Sequence, residues 1–175
     1  MEKILEDYFL FEIQKTDDIR MLVDMTKSDS GISGPELAKA HIRLGELLGE
    51  HIHVDPQQTT IVAIMRGGIF FAEGLYFSLG CKFMTYDPKH EAFHKPDTDE
   101  IILVDSVINT GTTIKKIWED GMKVACCVIN RKSVDYFDDC LCTVRVSDNS
   151  YIGADVKAQN GNTGPDTTMR LFNYI

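Results

Sequence analysis

The stretch Ile101-Ile102-Leu103-Val104-Asp105-Ser106-Val107-Ile108-Asn109-Thr110-Gly111-Thr112-Thr113 decides the fold. Its four leading apolar residues fit a strand covered on both faces, as in parallel sheets packed between helices. Asp105 then emerges at the carboxyl end of that strand, where open α/β sheets bind their ligands. From Thr110 to Thr113 the chain offers three hydroxyls, several backbone N–H donors and Gly111, which is free to take positive φ. The turn leads into a helix expected to begin near Thr112, and such a junction cradles a phosphate dianion. Asp105 lies five residues before Thr110, so it must reach a group covalently close to that phosphate. A ribose fits, because its vicinal hydroxyls donate to a carboxylate while its 5-phosphate occupies the turn. A plain strand-to-helix connection with an incidental acid is the competing reading.

Working outward, apolar segments alternate between strand-like and helical patterns after residue 58, which predicts an α/β fold with an open, mostly parallel, five-stranded sheet flanked by helices. Strands are expected at about 59–65, 81–86, 100–105, 123–130 and 141–147, with helices at about 69–79, 112–120 and 133–139. Two helices precede them, at about 16–27 and 34–52. The second opens on Ser33-Gly34-Pro35-Glu36, a capping-box pattern with proline in the first turn. Leu37, Ala40, His41, Leu44, Leu47 and Leu48 form its apolar stripe, and His41 there reads as a satisfied core histidine. Gly121 is a stop signal for the helix carrying Ile117 and Trp118. The organisation expected is one domain over 1–175: an N-terminal helical part (1–58), an α/β core (59–147) and a turn-rich tail (148–175) that closes on a short segment at Met169 to Phe172.

A chain of 175 residues is long enough to bury a substantial core. Its formal net charge of −9 argues against nucleic-acid and anionic-membrane partners, which call for basic surfaces. A polyphosphate must then be held by local donors and a metal ion. No apolar run approaches the ~20 residues that span a bilayer, and Met1 to Asp7 lacks the layout of a signal peptide, so a cytoplasmic protein is expected. Five cysteines form an odd set without a C-x-x-C pair, which suits buried, reduced thiols.

The first core strand ends in Arg66-Gly67-Gly68, where glycines let backbone N–H groups approach oxygen atoms and the guanidinium adds delocalised charge; pyrophosphate would suit it. His90-Glu91-Ala92-Phe93-His94 matches H-E-x-x-H, the zinc-hydrolase pattern, but Pro88 and Pro96 leave room for barely two turns. His51 and His53 are expected to meet carbonyls or solvent at a helix end.

Residues 101–113 resemble the phosphoribosyl diphosphate (PRPP) loop of the type I phosphoribosyltransferases, with Ser106 where many members carry a second acid that the uracil branch also lacks. Arg66-Gly67-Gly68 is similar to that family's pyrophosphate loop, whose peptide is often strained, including cis non-proline bonds. Tyr151-Ile152 and Pro165-Asp166-Thr167-Thr168-Met169-Arg170-Leu171-Phe172 are similar to the base-binding tail of uracil phosphoribosyltransferases. Tyr86 matches a tyrosine ahead of that branch's mobile flap, whereas Asp87 stands in place of its arginine, leaving Lys89 or Lys95 to substitute. The resemblance implies transfer of a phosphoribosyl group from PRPP to a nucleobase, with uracil giving UMP and pyrophosphate in pyrimidine salvage. It implies Asp105 and Arg66 as catalytic residues, and PRPP binding by Arg66, Gly67, Gly68, Asp105, Ser106, Val107, Ile108, Asn109, Thr110, Gly111, Thr112, Thr113 and Asp166. Tyr151, Ile152, Pro165, Asp166 and Thr167 would bind the base. Mg²⁺ would be carried mainly by PRPP with no dedicated protein metal site, and the assembly would be a homodimer. Two other readings stay open: a non-catalytic PRPP sensor, motivated by Asp87, Pro165 and Met169, and a zinc hydrolase.

Overall fold

A run of strands buried on both faces needs helices above and below it, and the computed structural model, which describes residues 11–137 and 139–175, supplies them. The start Met1 to Asp7 and position 138 of the expected fifth helix lie outside the described residues. The core strands are β2 (Thr59–Ile64), β3 (Lys82–Tyr86), β4 (Glu100–Ile108), β5 (Lys123–Asn130) and β6 (Leu141–Ser147). A two-residue strand, β1 (Phe11–Glu12), pairs with Cys142 and Thr143 of β6 and makes the sheet six-stranded. Two residues are too few to show a period, so β1 left no signal in the sequence. The order is β1-β6-β5-β4-β2-β3, every described pairing parallel.

Alternate side chains point to opposite faces, and each face has its own cluster. Ile61, Ala63, Ile102, Val104, Ala125 and Cys127 pack beneath helices α1 (Asp17–Thr26), α2 (Gly34–Gly49) and α3 (Ile69–Leu79) through Leu44, Leu48, Phe71 and Leu75. Val62, Ile64, Leu103, Val124, Cys126 and Ile129 face α4 (Thr112–Lys115) and α5 (Arg131–Phe137) through Ile114 and Phe137. All five cysteines are free and buried. Among the described residues no helix is long and apolar enough to cross a membrane.

Helices α2 and α3 meet through glycine. A Cβ on Gly74 would stand 2.0 Å from the Ile42 carbonyl oxygen, and one on Gly45 would stand 2.2 Å from that of Phe71. Gly74→Ala therefore forces two backbones apart and is expected to cost about 3 kcal/mol, read as a lowered urea midpoint with an unchanged slope.

Four boundaries differ from expectation. β4 continues to Ile108 because Val107 and Ile108 keep their register with Val128 and Ile129, so Asp105 sits inside the strand and not at its end. α4 is a single turn: Ile117 N–H tightens onto the Ile114 carbonyl at 3.0 Å, while Trp118 Nε1 donates to the Met122 carbonyl at 3.1 Å and draws the chain away. α2 ends at Gly49, three residues early, and Ser33 occupies its N-cap without a side-chain capping bond. Beyond Ser147 the tail forms a parallel pair, β7 (Ile152–Ala154) and β8 (Thr163–Pro165), then α6 (Thr167–Leu171).

Candidate functional site

Strand order reverses between β2 and β4: β2 connects outward to β3, and β4 connects outward to β5 on the other side. Chains leaving neighbouring strands in opposite directions open a crevice at their carboxyl ends. Arg66, Gly67 and Gly68 follow β2 into that crevice, and the Met65–Arg66 peptide is cis. Gly68 lies so close to β4 that a Cβ would be 2.6 Å from the Val104 carbonyl oxygen and 3.0 Å from the Asp105 Cα. A Cβ on Gly67 would be 3.7 Å from Asp105 Oδ1 and 2.8 Å from Thr168 Oγ1. The loop after β2, the acid of β4 and the start of α6 are thus brought together. The Arg66 guanidinium lies over Phe172 at 5.1 Å and Tyr174 at 5.4 Å, a two-ring cation–π clamp built from the C-terminal segment.

Asp105 is half-buried, and its Oδ1 accepts the Ser106 N–H at 2.7 Å. Burial pushes its pKa up to about 7, while the Ser106 and Val107 amides pull the other way. Without a ligand the carboxyl is therefore divided between its two forms near neutral pH. Its neighbour along the strand, Ser106, points to the opposite face.

The turn after β4 is braced from three sides. Gly111 adopts φ 71°, and a Cβ there would strike the Phe137 ring at 2.9 Å. Thr110 Oγ1 and Thr112 Oγ1 share a hydrogen bond of 2.8 Å, and Ser133 Oγ donates to the Asn109 carbonyl at 2.6 Å. Asn109 Nδ2 donates to the Tyr151 carbonyl, tying the turn to the tail. Since α4 is only one turn long, an anion at this turn would depend on the loop's own N–H and hydroxyl donors, with little from a helix dipole.

A cleft of about 510 Å³ lies beside this crevice, under the tail, on the α1–α2 side of β4 to β6. It takes in Ser106, Val107, Ile108 and Asn109 but neither Arg66 to Gly68 nor Thr110 to Thr113. Of the expected base-binding residues, Tyr151 and Thr167 line it. Ile152 is 58 % exposed outside it. Pro165 is buried with its carbonyl taken by the Tyr151 hydroxyl. Asp166 caps α6, its Oδ1 accepting Met169 N–H at 2.9 Å.

Sequence reasoning gave no site role to two residues that shape this cleft, Arg170 and His41. Arg170 is 3 % exposed and spends its guanidinium on the carbonyls of Met25, Thr26 and Ile32 and on Ser30 Oγ, locking the tail to the α1–α2 connection. His41 is buried as expected, its Nδ1 3.0 Å from the Leu37 carbonyl, yet it also lines the cleft. Burial lowers its pKa to about 4, so the ring is neutral; with Nδ1–H donating to Leu37, Nε2 is an acceptor.

The flap-like segment after β3 is an Asp87-centred turn. Lys89 N–H donates to Asp87 Oδ1 at 2.9 Å, and His90 Nδ1 is 2.8 Å from Oδ2. Lys95 pairs with Glu119 at 2.5 Å. His90 to His94 is a turn followed by coil and not a helix, so the H-E-x-x-H pair lacks the face that would align two ligands. Among the described residues no group of three or more His, Cys, Asp or Glu is placed to hold a metal.

No family model matches the sequence, and no curated protein does. Solved structures do. The AQ2163 protein from Aquifex aeolicus aligns over 81% of this chain and 90% of its own, at 16% identity with a TM-score of 0.63. At that identity the likeness shows the fold. A purine phosphoribosyltransferase from Pyrococcus horikoshii Ot3 aligns over 63% of this chain and 82% of its own, at 22% identity and TM-score 0.42. An APRTase from Giardia lamblia complexed with 9-deazaadenine aligns over 62% and 80%, at 15% and 0.47. Scores this low add nothing to the fold assignment.

Proposed function

We propose that the protein is a type I phosphoribosyltransferase that moves the phosphoribosyl group of PRPP to a ring nitrogen of a nucleobase. The observation that carries this reading is the convergence, at one strand-order reversal, of a glycine loop with an arginine, a half-buried acid and a threonine-rich turn. Those three pieces match the three charged or polar parts of PRPP. Asn109 to Thr113 would hold the 5-phosphate, Asp105 the ribose hydroxyls, and Arg66, Gly67 and Gly68 the pyrophosphate. The tail's likeness to the uracil branch makes a pyrimidine the acceptor we favour, uracil being the simplest.

In the transfer, the ring nitrogen bonds to C1 of the ribose as the C1–O bond to pyrophosphate breaks, the electron pair leaving with pyrophosphate and the N–H proton passing to solvent. Positive charge develops on the ribose, so the chain's work is to align the reactants and stabilise charge. Asp105, in its ionised form, would hold the ribose hydroxyls and oppose that positive charge. The residues present fit a magnesium ion carried by the substrate: a single carboxylate at the crevice matches an ion that keeps several waters and is held chiefly by phosphate oxygens. Such an ion would neutralise the departing pyrophosphate. A homodimer in the cytoplasm, organised as one domain over 1–175, belongs to the same proposal.

Arg66 can meet pyrophosphate only if its guanidinium is aimed, and Phe172 and Tyr174 aim it. Phe172→Ala should raise the KM for PRPP roughly 3- to 30-fold with a smaller change in kcat, measured by initial rates over a PRPP series. Pyrophosphate release from PRPP and Mg²⁺ with a panel of bases tests the function itself. Base-dependent release supports transfer, whereas PRPP binding without release with any base would favour the sensor.

A further inference from the structure

The cleft beneath the tail is polar in a directed way. Ser106 Oγ, in a residue only 1 % exposed, faces it without a hydrogen-bond partner, the one such buried side-chain atom among the described residues. A buried hydroxyl left without a partner costs stability, so an unpartnered one on a cleft wall marks where a ligand's polar atom belongs. On the same wall stands Arg145. Strand alternation breaks there: Val144 packs under α1 and α2, Val146 packs on the opposite face, and Thr143 Oγ1 accepts the Arg145 N–H at 3.3 Å. Arg145 therefore reaches the α1 side, near the buried Cys127 thiol, and among the described residues it makes no ion pair or side-chain hydrogen bond.

A second cleft of about 370 Å³ shares Lys27 and Arg145 with the first and adds Lys15 and Arg20. In a chain of net charge −9, four cations around one wall are a concentration of the scarcer sign. Lys15, Arg20 and Lys27 are paired with Glu12, Asp17 and Asp24, three residues away in each case. Asp29 also lines the larger cleft and Asp24 the smaller. Among the described residues Arg145 is the one of these four cations without an ion pair.

We infer that the acceptor is a heterocycle bearing a carboxylate, its acid group paired with Arg145 and its ring edge hydrogen-bonded to Ser106 Oγ and His41 Nε2, and not unsubstituted uracil. The inference rests on the phosphoribosyltransferase reading and names the acceptor class for that same site. A guanidinium offers two parallel donors to a carboxylate, and the charge assistance that strengthens such a pair is missing from an uncharged ring. The cleft, at about 510 Å³, is also roomier than a bare pyrimidine requires.

The test compares uracil with 5-carboxyuracil and 6-carboxyuracil as acceptors, by pyrophosphate release from PRPP and Mg²⁺. One carboxylated ring is expected to exceed uracil in kcat/KM by about tenfold or more, and Arg145→Gln should collapse that ratio. A preference for uracil, or a ratio untouched by Arg145→Gln, overturns the inference while leaving phosphoribosyl transfer standing. If no acceptor yields pyrophosphate, transfer fails, and calorimetry of the two carboxylated rings alone still decides. Binding that weakens about tenfold in Arg145→Gln upholds the anionic site, and absence of binding to the wild-type chain overturns it. Circular dichroism and the urea midpoint of Arg145→Gln establish that the variant is folded, and Ser106→Ala, expected to weaken the same binding, supplies an independent check on the wall.

Discussion

Asp105→Asn is expected to lower kcat by about 10²- to 10³-fold and, in the same variant, to raise the stability of the ligand-free chain by roughly 2–4 kcal/mol at pH 8. The two effects share one cause. Burial raises the native pKa of Asp105 from its ordinary 3.8 to about 7, so between those values the native state holds a proton that the unfolded state has released. Stability then falls as pH rises through that window, and the full penalty stands above pH 7. Asparagine keeps the shape and the acceptor for the Ser106 amide without carrying charge. His41 has the opposite sign: its native pKa, lowered to about 4, makes stability fall as pH drops below 6.5. In the wild-type chain the two slopes oppose each other between about pH 4 and 6.5. Asp105→Asn should expose the His41 slope, about 1.4 kcal/mol per pH unit at its steepest, in urea titrations run across that range. A variant with normal turnover, or with unchanged stability at pH 8, would contradict the role and the environment assigned to Asp105.

Arg170→Met should cost about 3–5 kcal/mol, the largest stability loss expected from any single tail residue. Its guanidinium donates to Ile32 O at 2.8 and 3.1 Å, Thr26 O at 3.0 Å, Met25 O at 3.3 Å and Ser30 Oγ at 3.0 Å. Methionine fills much of the volume but leaves those carbonyls without partners in a buried place. Lysine should not rescue, because three donors on one point cannot reproduce a planar fork. The same bonds set the α1–α2 connection as a wall of the cleft, so acceptor binding should weaken along with stability. Urea midpoints for Arg170→Met and Arg170→Lys measure the first effect, and calorimetry at a temperature where both variants are folded measures the second.

The sheet was readable from the chain because β2, β4 and β5 are covered on both faces and so show unbroken apolar runs. The turn at 109–113 and the Arg66-Gly67-Gly68 loop were readable as strand ends for a related reason: threonines and glycines break off such apolar runs. What escaped depends on partners far along the chain. α4 stops after one turn because Trp118 bonds Met122 and packs against Tyr136 and Phe137, none of which a helical period can register. β7 and β8 are three residues each, Ile152-Gly153-Ala154 and Thr163-Gly164-Pro165, too short and too glycine-rich to show a strand period. The cleft is assembled from the α1–α2 connection, α2, three strand ends and the tail, so no local pattern announces it. Arg170 was legible only as part of the tail motif from Pro165 to Phe172, since burial of an arginine among carbonyls has no sequence signature.

The most direct test of the account is calorimetric titration of the full chain with PRPP in the presence of Mg²⁺. Saturable heat with one site per chain, greatly weakened in Thr110→Ala/Thr112→Ala, is the predicted result. No heat in the wild-type protein, or heat that the double variant leaves intact, would contradict the assignment of the crevice between β2 and β4 to a sugar polyphosphate.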